Sequence, residues 1–279
     1  MKIITNELIG KYRDFLLDEE KSAATLKKYI RDVRAFAVWL KERELSKSVV
    51  LAYKEYLIGH YAPASVNSVL SSLNSFFSYN EWYALRVKTL KMQKQIFASS
   101  DKELTKTEYE RLLTVAKSQG NERLYYLMQT ICASGIRVSE LRYITVDAVR
   151  KEKAVIRCKC KLRTVILPKQ LCRMLNRYAQ KRHIKSGPVF VTKTGKPLDR
   201  SNIWADMKKL CACAGVSKDK VFPHNLRHLF ARTYYTLQKD IVRLADILGH
   251  SSVNTTRIYT MESGEVHRRQ IQKLGLLRC

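Results

Sequence analysis

The sequence lacks a long uninterrupted apolar run, and this absence excludes two classes of protein. A membrane-spanning helix needs about 20 consecutive apolar residues, and no segment of the 279-residue chain approaches that length. The opening residues, MKIITNELIGKYRDF, also lack the apolar core of a secretory signal peptide. We therefore expect a cytoplasmic protein that has no membrane partner.

Acidic residues are scarce relative to basic ones. The chain has 25 Asp and Glu against 52 Lys and Arg, which gives a formal net charge of +27. Most of the excess lies in residues 101–279, which hold 36 basic and 15 acidic residues. This imbalance indicates a polyanionic partner and is typical of nucleic-acid-binding proteins, although charge alone also fits an ordinary basic protein. The hydrophobic content of 46% is too high for a disordered basic tail.

Cysteine is present in an odd number, and its spacing differs from that of common zinc sites. The seven cysteines of this intracellular chain are expected to be reduced thiols. Cys158 and Cys160 form one C-x-C pair and Cys211 and Cys213 another, whereas zinc sites usually use a wider C-x2-C spacing. No histidine stands at ligand spacing beside either pair. We therefore predict no metal site.

Hydrophobic periodicity predicts two domains joined by a linker. Residues 1–92 contain four apolar patterns at i, i+3, i+4, i+7 spacing, which are typical of amphipathic helices. Residues 93–103 have no such period and contain Ser-Ser-Asp, so we place an interdomain linker there. Residues 104–279 mix helical patterns with β-rich segments and form the predicted second domain. The sequence thus predicts a mainly α fold with a small antiparallel β-sheet.

The second domain contains one predicted hairpin. Residues 154–158 and 163–167 are β-rich and are joined by a tip that carries Lys159 and Lys161. Residues 189–191 predict a further short strand, and residues 263–276 predict a last amphipathic helix.

Two more predictions concern aromatic side chains. We expect Trp39 and Trp204 to lie in the core. His228, Tyr234 and Tyr235 are expected to pack near the functional groups rather than to react.

One segment near the C-terminal end concentrates groups that suit phosphoryl transfer. His224 and Arg227 are three residues apart, so they share a helix face. His250 follows Gly249, and glycine readily takes the left-handed conformation that ends a helix. Tyr259 comes nine residues after His250 and is the candidate nucleophile. A phenol has a pKa near 10, so its attack at neutral pH requires cations nearby.

A second motif, ASGIRVSEL, lies upstream. The turn at Gly135 predicts a new helix with Arg137 at its N-terminus, where backbone N–H groups already favour an anion. Glu140, one turn further on, is placed to hold an arginine or a histidine by a charge-assisted hydrogen bond. Taken alone, Arg137 is an ordinary surface arginine, so its interpretation depends on the other motifs.

Together, ASGIRVSEL, the hairpin lysine, H-x-L-R-H, LGH and a tyrosine nine residues after that histidine resemble the tyrosine site-specific recombinases, also called phage-type integrases. The resemblance covers essentially the whole chain. It implies a SAM-like four-helix core-binding domain that binds DNA, followed by an α+β catalytic domain. It also implies an enzyme that cleaves and rejoins DNA through a 3′-phosphotyrosyl link and exchanges strands between two duplexes, in integration, excision or dimer resolution.

The resemblance implies a role for each matching residue. Arg137 and Arg227 would clamp the non-bridging oxygens of the scissile phosphate, and Tyr259 would attack its phosphorus. His224 would assist proton transfer, and His250 would hydrogen-bond the phosphate.

The hairpin departs from the family pattern, which usually reads glycine-lysine-glycine followed by a further lysine. Here the tip reads Cys158-Lys159-Cys160-Lys161, without the glycines and one residue shorter. Lys159 is expected to be the general acid for the leaving 5′-oxygen, and Lys161 stays an alternative. Glu140 matches an acidic position that braces the site without reacting.

The resemblance also implies the partners. The expected substrate is double-stranded DNA with an inverted-repeat core site, bound by a tetramer that the helix at 263–276 holds together. Neither a metal ion nor a nucleotide cofactor is expected. A type IB topoisomerase, which relaxes one duplex without exchanging partners, and a non-catalytic DNA-binding regulator are the alternative functions.

Overall fold

A computed structural model describes residues 3–41, 43–92, 102–158, 161–192, 194–259 and 272–273, apart from the side chains of Cys158 and Lys161. The chain divides into two compact units, Met1–Lys94 and Gln95–Cys279. Within the described ranges, no helix is both long enough and apolar enough to span a bilayer. The predicted linker at 93–103 lies mostly outside these ranges, and so does most of the predicted helix at 263–276.

The first unit is built from the four predicted helices. These are α1 Asn6–Asp18, α2 Ala23–Leu40, α3 Lys47–His60 and α4 Pro63–Tyr79. The hydroxyls of Thr5, Ser22 and Ser46 accept backbone N–H bonds at the starts of α1, α2 and α3, as N-cap residues do. Pro63 starts α4, where its missing N–H costs no helical bond.

The apolar faces of these helices close a core of their own. Tyr12, Phe36, Phe76 and Phe77 are fully buried there and meet one another at angles that aromatic rings favour. Trp39 is only partly buried beside this core.

The second unit is also mainly helical in its described residues. Its helices are α5 Lys106–Ser118, α6 Glu122–Ser134, α7 Val146–Arg150, α8 Lys169–Lys181, α9 Arg200–Ala214, α10 Pro223–Gln238, α11 Ile241–Leu248 and α12 Val253–Thr256. Thr105 and Glu108 form a reciprocal capping box at the start of α5. Gly135 ends α6 and Gly249 ends α11, both in the left-handed conformation.

Two antiparallel strands, β1 Lys153–Cys158 and β2 Lys161–Ile166, form the sheet. Their register runs from Lys153 opposite Ile166 to Cys158 opposite Lys161. The predicted start of the second strand at residue 163 was therefore two residues late. Leu162 explains the error, because it lies on the outer face and is 70% exposed, so backbone pairing rather than burial places it in the strand.

Two other sequence predictions were wrong. Residues 189–191 form no strand; Val191 makes one isolated bridge, to Pro197, and proline lacks the N–H that would extend a ladder. Trp204 is 49% exposed and is not in the core. Helix α9 buries Ile203 and Met207, and this register turns Trp204 towards solvent.

The last residues of the predicted linker pack within the second unit. The side-chain amide of Asn225, on α10, donates to the carbonyl of Lys102 over 2.7 Å. Glu103 forms an ion pair with Arg232, also on α10. The described end of the linker is thus attached to the helix that begins the functional segment.

Candidate active site

A cleft of about 740 Å³ in the second unit collects several of the predicted site residues. Its polar and aromatic lining includes Arg137, Arg200, Trp204, Lys208, His224 and Arg227. The lining is rich in cations, and a negatively charged ligand suits it on electrostatic grounds.

Helix α10 presents two of these side chains. Pro223 occupies the first turn, where its fixed φ favours helix initiation. The buried amide of Asn225 donates to the carbonyls of Lys102 and Lys220 and holds the start of the helix in place. His224 and Arg227 therefore face the cleft together, as their spacing predicts.

Arg227 is a buried cation, only 1% exposed. It donates to the carbonyl of Gly135 over 2.5 Å and to that of Leu248 over 2.8 Å, and it lies 3.0 Å from Nε2 of His250. All three acceptors are uncharged. Burial, and next the charge of Arg137, lower the pKa of Arg227 to about 10, so it stays protonated at pH 7. A buried guanidinium bonded to neutral acceptors remains able to attract an anion.

Arg137 is held by Glu140 at the start of the 3₁₀ helix Val138–Tyr143. The carboxylate of Glu140 accepts the backbone N–H of Arg137 over 2.7 Å and its guanidinium over 3.0 Å. Burial would raise the pKa of Glu140, but the Arg137 N–H and the charge of Arg163 outweigh it and lower that pKa. The carboxylate is thus ionised and fixes Arg137, whose side chain remains 43% exposed.

Arg163, on the inward face of β2, contacts the site residue Glu140 and was missed by the sequence analysis. Its guanidinium donates to Glu140 over 2.5 Å and to the carbonyl of Ile247 over 2.8 Å. The sequence did contain a signal for this residue. Residues 163, 165 and 167 lie on the same side of an extended chain, and the apolar Val165 and Leu167 mark that side as the inward one. An arginine at position 163 therefore needs a buried partner.

Gly249 is required where α11 ends against Arg163. Its φ is +64°, and an added Cβ would lie 2.4 Å from Cδ of Arg163. A side chain at this position would be strained by the backbone and would also displace the arginine.

We expect Gly249→Ala to destabilise the second unit by about 3 kcal/mol, from left-handed strain and overpacking together. Gly120→Ala is the matched control, because Gly120 has φ +67° but open space around its Cβ position. It should cost about 1 kcal/mol. Urea unfolding of both variants measures the difference, and equal losses would show that contact with Arg163 is unimportant.

His250 connects Arg227 to the segment that carries the tyrosine. Because the guanidinium can only donate, Nε2 of His250 accepts from Arg227, and Nδ1 therefore carries the proton. Nδ1 lies 2.8 Å from the hydroxyl of the buried Thr256, a partner that the sequence analysis did not identify. Burial, and next the charges of Arg227 and Arg137, lower the pKa of His250 to about 4. His250 is therefore neutral at pH 7.

Tyr259 ends the 3₁₀ helix Arg257–Tyr259 and packs against two histidine rings. The His228 ring meets it edge-on, with centroids 4.9 Å apart and planes at 89°. The His250 ring lies nearly parallel to it at 6.1 Å. The neighbouring apolar cluster includes Ala231 and Leu244, and Tyr259 is only 5% exposed.

His228 packs between two predicted site residues, as expected. Its ring centroid is 4.4 Å from that of His224. Burial first, and then His224 and Arg227, lower the pKa of His228 to about 4. Burial and then Arg227 also lower the pKa of His224. His224 and His228 are thus neutral at pH 7, and His224 can accept a proton.

The structure brings together six of the seven predicted residues: Arg137, Glu140, His224, Arg227, His250 and Tyr259. Lys159 lies outside the described residues, as does the side chain of Lys161, so the identity of the general acid stays a prediction. In the described ranges, no group of three His, Cys, Asp or Glu side chains could hold a metal ion.

The chain resembles known proteins along nearly its whole length. Residues 102–265 match the phage integrase family, and residues 9–83 match the phage integrase N-terminal SAM-like domain. The chain is 30% identical to the tyrosine recombinase XerA of Thermococcus kodakarensis, over 98% of this chain and 96% of that protein. It is 29% identical to the tyrosine recombinase XerD of Lacticaseibacillus casei, over 92% and 95% respectively. A solved lambda integrase tetramer bound to a Holliday junction shares the fold, with a TM-score of 0.73 at 17% identity over 91% of this chain and 76% of that one.

Proposed function

Because this chain belongs to the phage integrase family, we propose that it is a tyrosine recombinase that cleaves and rejoins DNA at a specific site through a 3′-phosphotyrosyl intermediate. One observation carries the proposal: Arg137 and Arg227 line a cationic cleft, and His250 contacts both Arg227 and the ring of Tyr259 in the same chain. The first unit is the family's SAM-like domain.

Two arginines are suited to hold the scissile phosphate. Arg227 is bonded to neutral acceptors, so its charge is free to pair with a non-bridging oxygen. Arg137 is fixed by Glu140 but half-exposed at the cleft, where it can take a second oxygen. Preorganised cations of this kind stabilise the charge that develops as phosphorus is attacked.

Attack forms a bond between the Tyr259 phenolic oxygen and phosphorus and breaks the bond from phosphorus to the 5′-oxygen. In the proposed mechanism, neutral His224, which lines the cleft, assists removal of the phenolic proton. The hairpin lysine, Lys159 or alternatively Lys161, protonates the leaving 5′-oxygen. The phosphotyrosyl bond conserves the energy of the broken one, so a 5′-hydroxyl from a second duplex can reverse the step.

The proposed assembly is a tetramer that holds two duplexes at an inverted-repeat core site in the cytoplasm. The charge of the chain supports a DNA partner. The lambda integrase tetramer on a Holliday junction supports the four-subunit arrangement by shared fold. The predicted helix at 263–276 is the proposed contact between subunits.

A suicide-substrate assay tests the function. The full chain is mixed with nicked duplexes drawn from DNA that flanks its gene, in a buffer containing EDTA. We expect protein covalently joined to a 3′-phosphate at one inverted-repeat site, and Holliday junctions from un-nicked partners. Site-independent relaxation of any supercoiled plasmid would instead identify a topoisomerase. Specific binding without an adduct would identify a regulator.

A further inference from the structure

Arg163 joins the two sides of the phosphate-binding site. On one side its Nη2 donates to Glu140, which in turn holds Arg137. On the other side its Nη1 donates to the carbonyl of Ile247, one residue before the Leu248 carbonyl that accepts from Arg227. One partly buried side chain therefore links the segment that carries Arg137 to the end of α11, whose Leu248 carbonyl accepts from Arg227.

The geometry points to Arg163 as a positioning residue that sets the separation of Arg137 and Arg227. This inference rests on the proposed function, because it assumes that the two arginines hold one scissile phosphate. The side chain is only 16% exposed and lines no described part of the cleft. Its effect on the reaction is therefore transmitted through Glu140 and Ile247.

A purely structural role explains the contacts less well. The Nε of Arg163 is buried and has no hydrogen-bond partner in the described part of the chain. A buried donor without a partner lowers the stability of the fold. The hairpin already packs on the core through Ala154, Ile156 and Val165. Gly249 leaves space for the arginine. A guanidinium is the group that can donate in one plane to a carboxylate and a carbonyl at once.

The test is a kinetic double-mutant cycle on the suicide substrate, with the full chain at saturating DNA. Arg163→Ala should slow adduct formation by about 10- to 100-fold, the scale of a small misplacement of reacting groups. The same substitution in an Arg137→Ala background should cause no further loss in the rate of adduct formation. The separation of Arg137 and Arg227 matters only when both arginines are present. Adducts accumulate irreversibly on this substrate, so slow variants remain measurable over hours.

Two further variants complete the test. Arg157→Ala removes an exposed arginine from the same hairpin and should leave the rate unchanged. In Arg163→Lys, the new side chain can reach Glu140 or the Ile247 carbonyl but not both. We expect this variant to fold and to form the adduct at a rate between those of Arg163→Ala and the wild type. If Arg163→Ala does not fold, Arg163→Lys replaces it in the double-mutant cycle.

Two outcomes would overturn the inference. One is a wild-type rate of adduct formation for Arg163→Ala. The other is that Arg163→Ala slows the reaction by the same factor in the Arg137→Ala background as in the wild type. Failure of the wild-type protein to form any adduct would refute the proposed function instead, so the two failures are distinguishable.

Discussion

Replacing Tyr259 with phenylalanine should abolish the covalent protein–DNA adduct and leave DNA affinity unchanged. Phenylalanine keeps the ring that packs against His228, His250 and the apolar cluster, so the fold should be retained. It removes the oxygen that becomes bonded to phosphorus. We expect adduct formation to fall by more than about 1,000-fold, since no covalent route remains. Denaturing gel electrophoresis of the suicide-substrate reaction measures the adduct, and fluorescence anisotropy measures binding.

Tyr234→Phe is the matched control for this experiment. Tyr234 packs against the same apolar cluster as Tyr259 and belongs to α10, but no role in the reaction is proposed for it. It should form the adduct at the wild-type rate. An adduct that persists in Tyr259→Phe would place the nucleophile on another residue and remove the basis of the proposed mechanism.

The burial of Tyr259 has a consequence for how DNA reaches it. At 5% exposure, the phenol cannot meet a phosphate without movement of the groups around it. Tyr259 lies at the end of two short elements, the four-residue helix α12 and the three-residue 3₁₀ turn Arg257–Tyr259. DNA bound at the cleft would favour the uncovered arrangement through its contacts with Arg227 and Arg137.

Local signals in the sequence indicated several of the residues that the structure brings together at the candidate site. The spacing of His224 and Arg227 and the helix-ending Gly249 each depend on a few neighbouring residues. The structure has these features where the sequence predicts them. The relative positions of residues that are close in the chain can therefore be predicted from the sequence.

Arg163 could not be placed in the same way, because its partners are far away in sequence. Glu140 precedes it by 23 residues and Ile247 follows it by 84. The strand pattern indicates that Arg163 faces inward, but only the packing of the hairpin against the end of α11 shows what it meets. The prediction that Trp204 lies in the core was wrong for a related reason. The exposure of Trp204 depends on the register of α9 against a core that is assembled from other helices.

Arg227→Gln should reduce adduct formation by about 1,000-fold or more while changing stability much less. The lost cation is the buried one proposed to hold the phosphate, and a single stabilising arginine is worth about 10³- to 10⁵-fold in phosphoryl transfer. A 1,000-fold loss corresponds to about 4 kcal/mol in the activation barrier. Leaving the carbonyls of Gly135 and Leu248 poorly paired costs about 1–3 kcal/mol in stability. Removal of a buried cation bonded to neutral acceptors offsets part of that cost.

Single-turnover cleavage and urea unfolding of the same variants separate the two effects. Arg232→Gln is the matched control on α10, because Arg232 pairs with Glu103 and is not among the residues lining the cleft. It should cleave at the wild-type rate with a small loss of stability. Arg227→Lys keeps the charge but cannot bridge the same three acceptors, so we expect a rate between those of Arg227→Gln and the wild type. If Arg227→Gln cleaved within about tenfold of the wild type, or if both Arg227 variants lost the fold, the guanidinium would be a structural tie between α6 and α11 rather than a phosphate ligand.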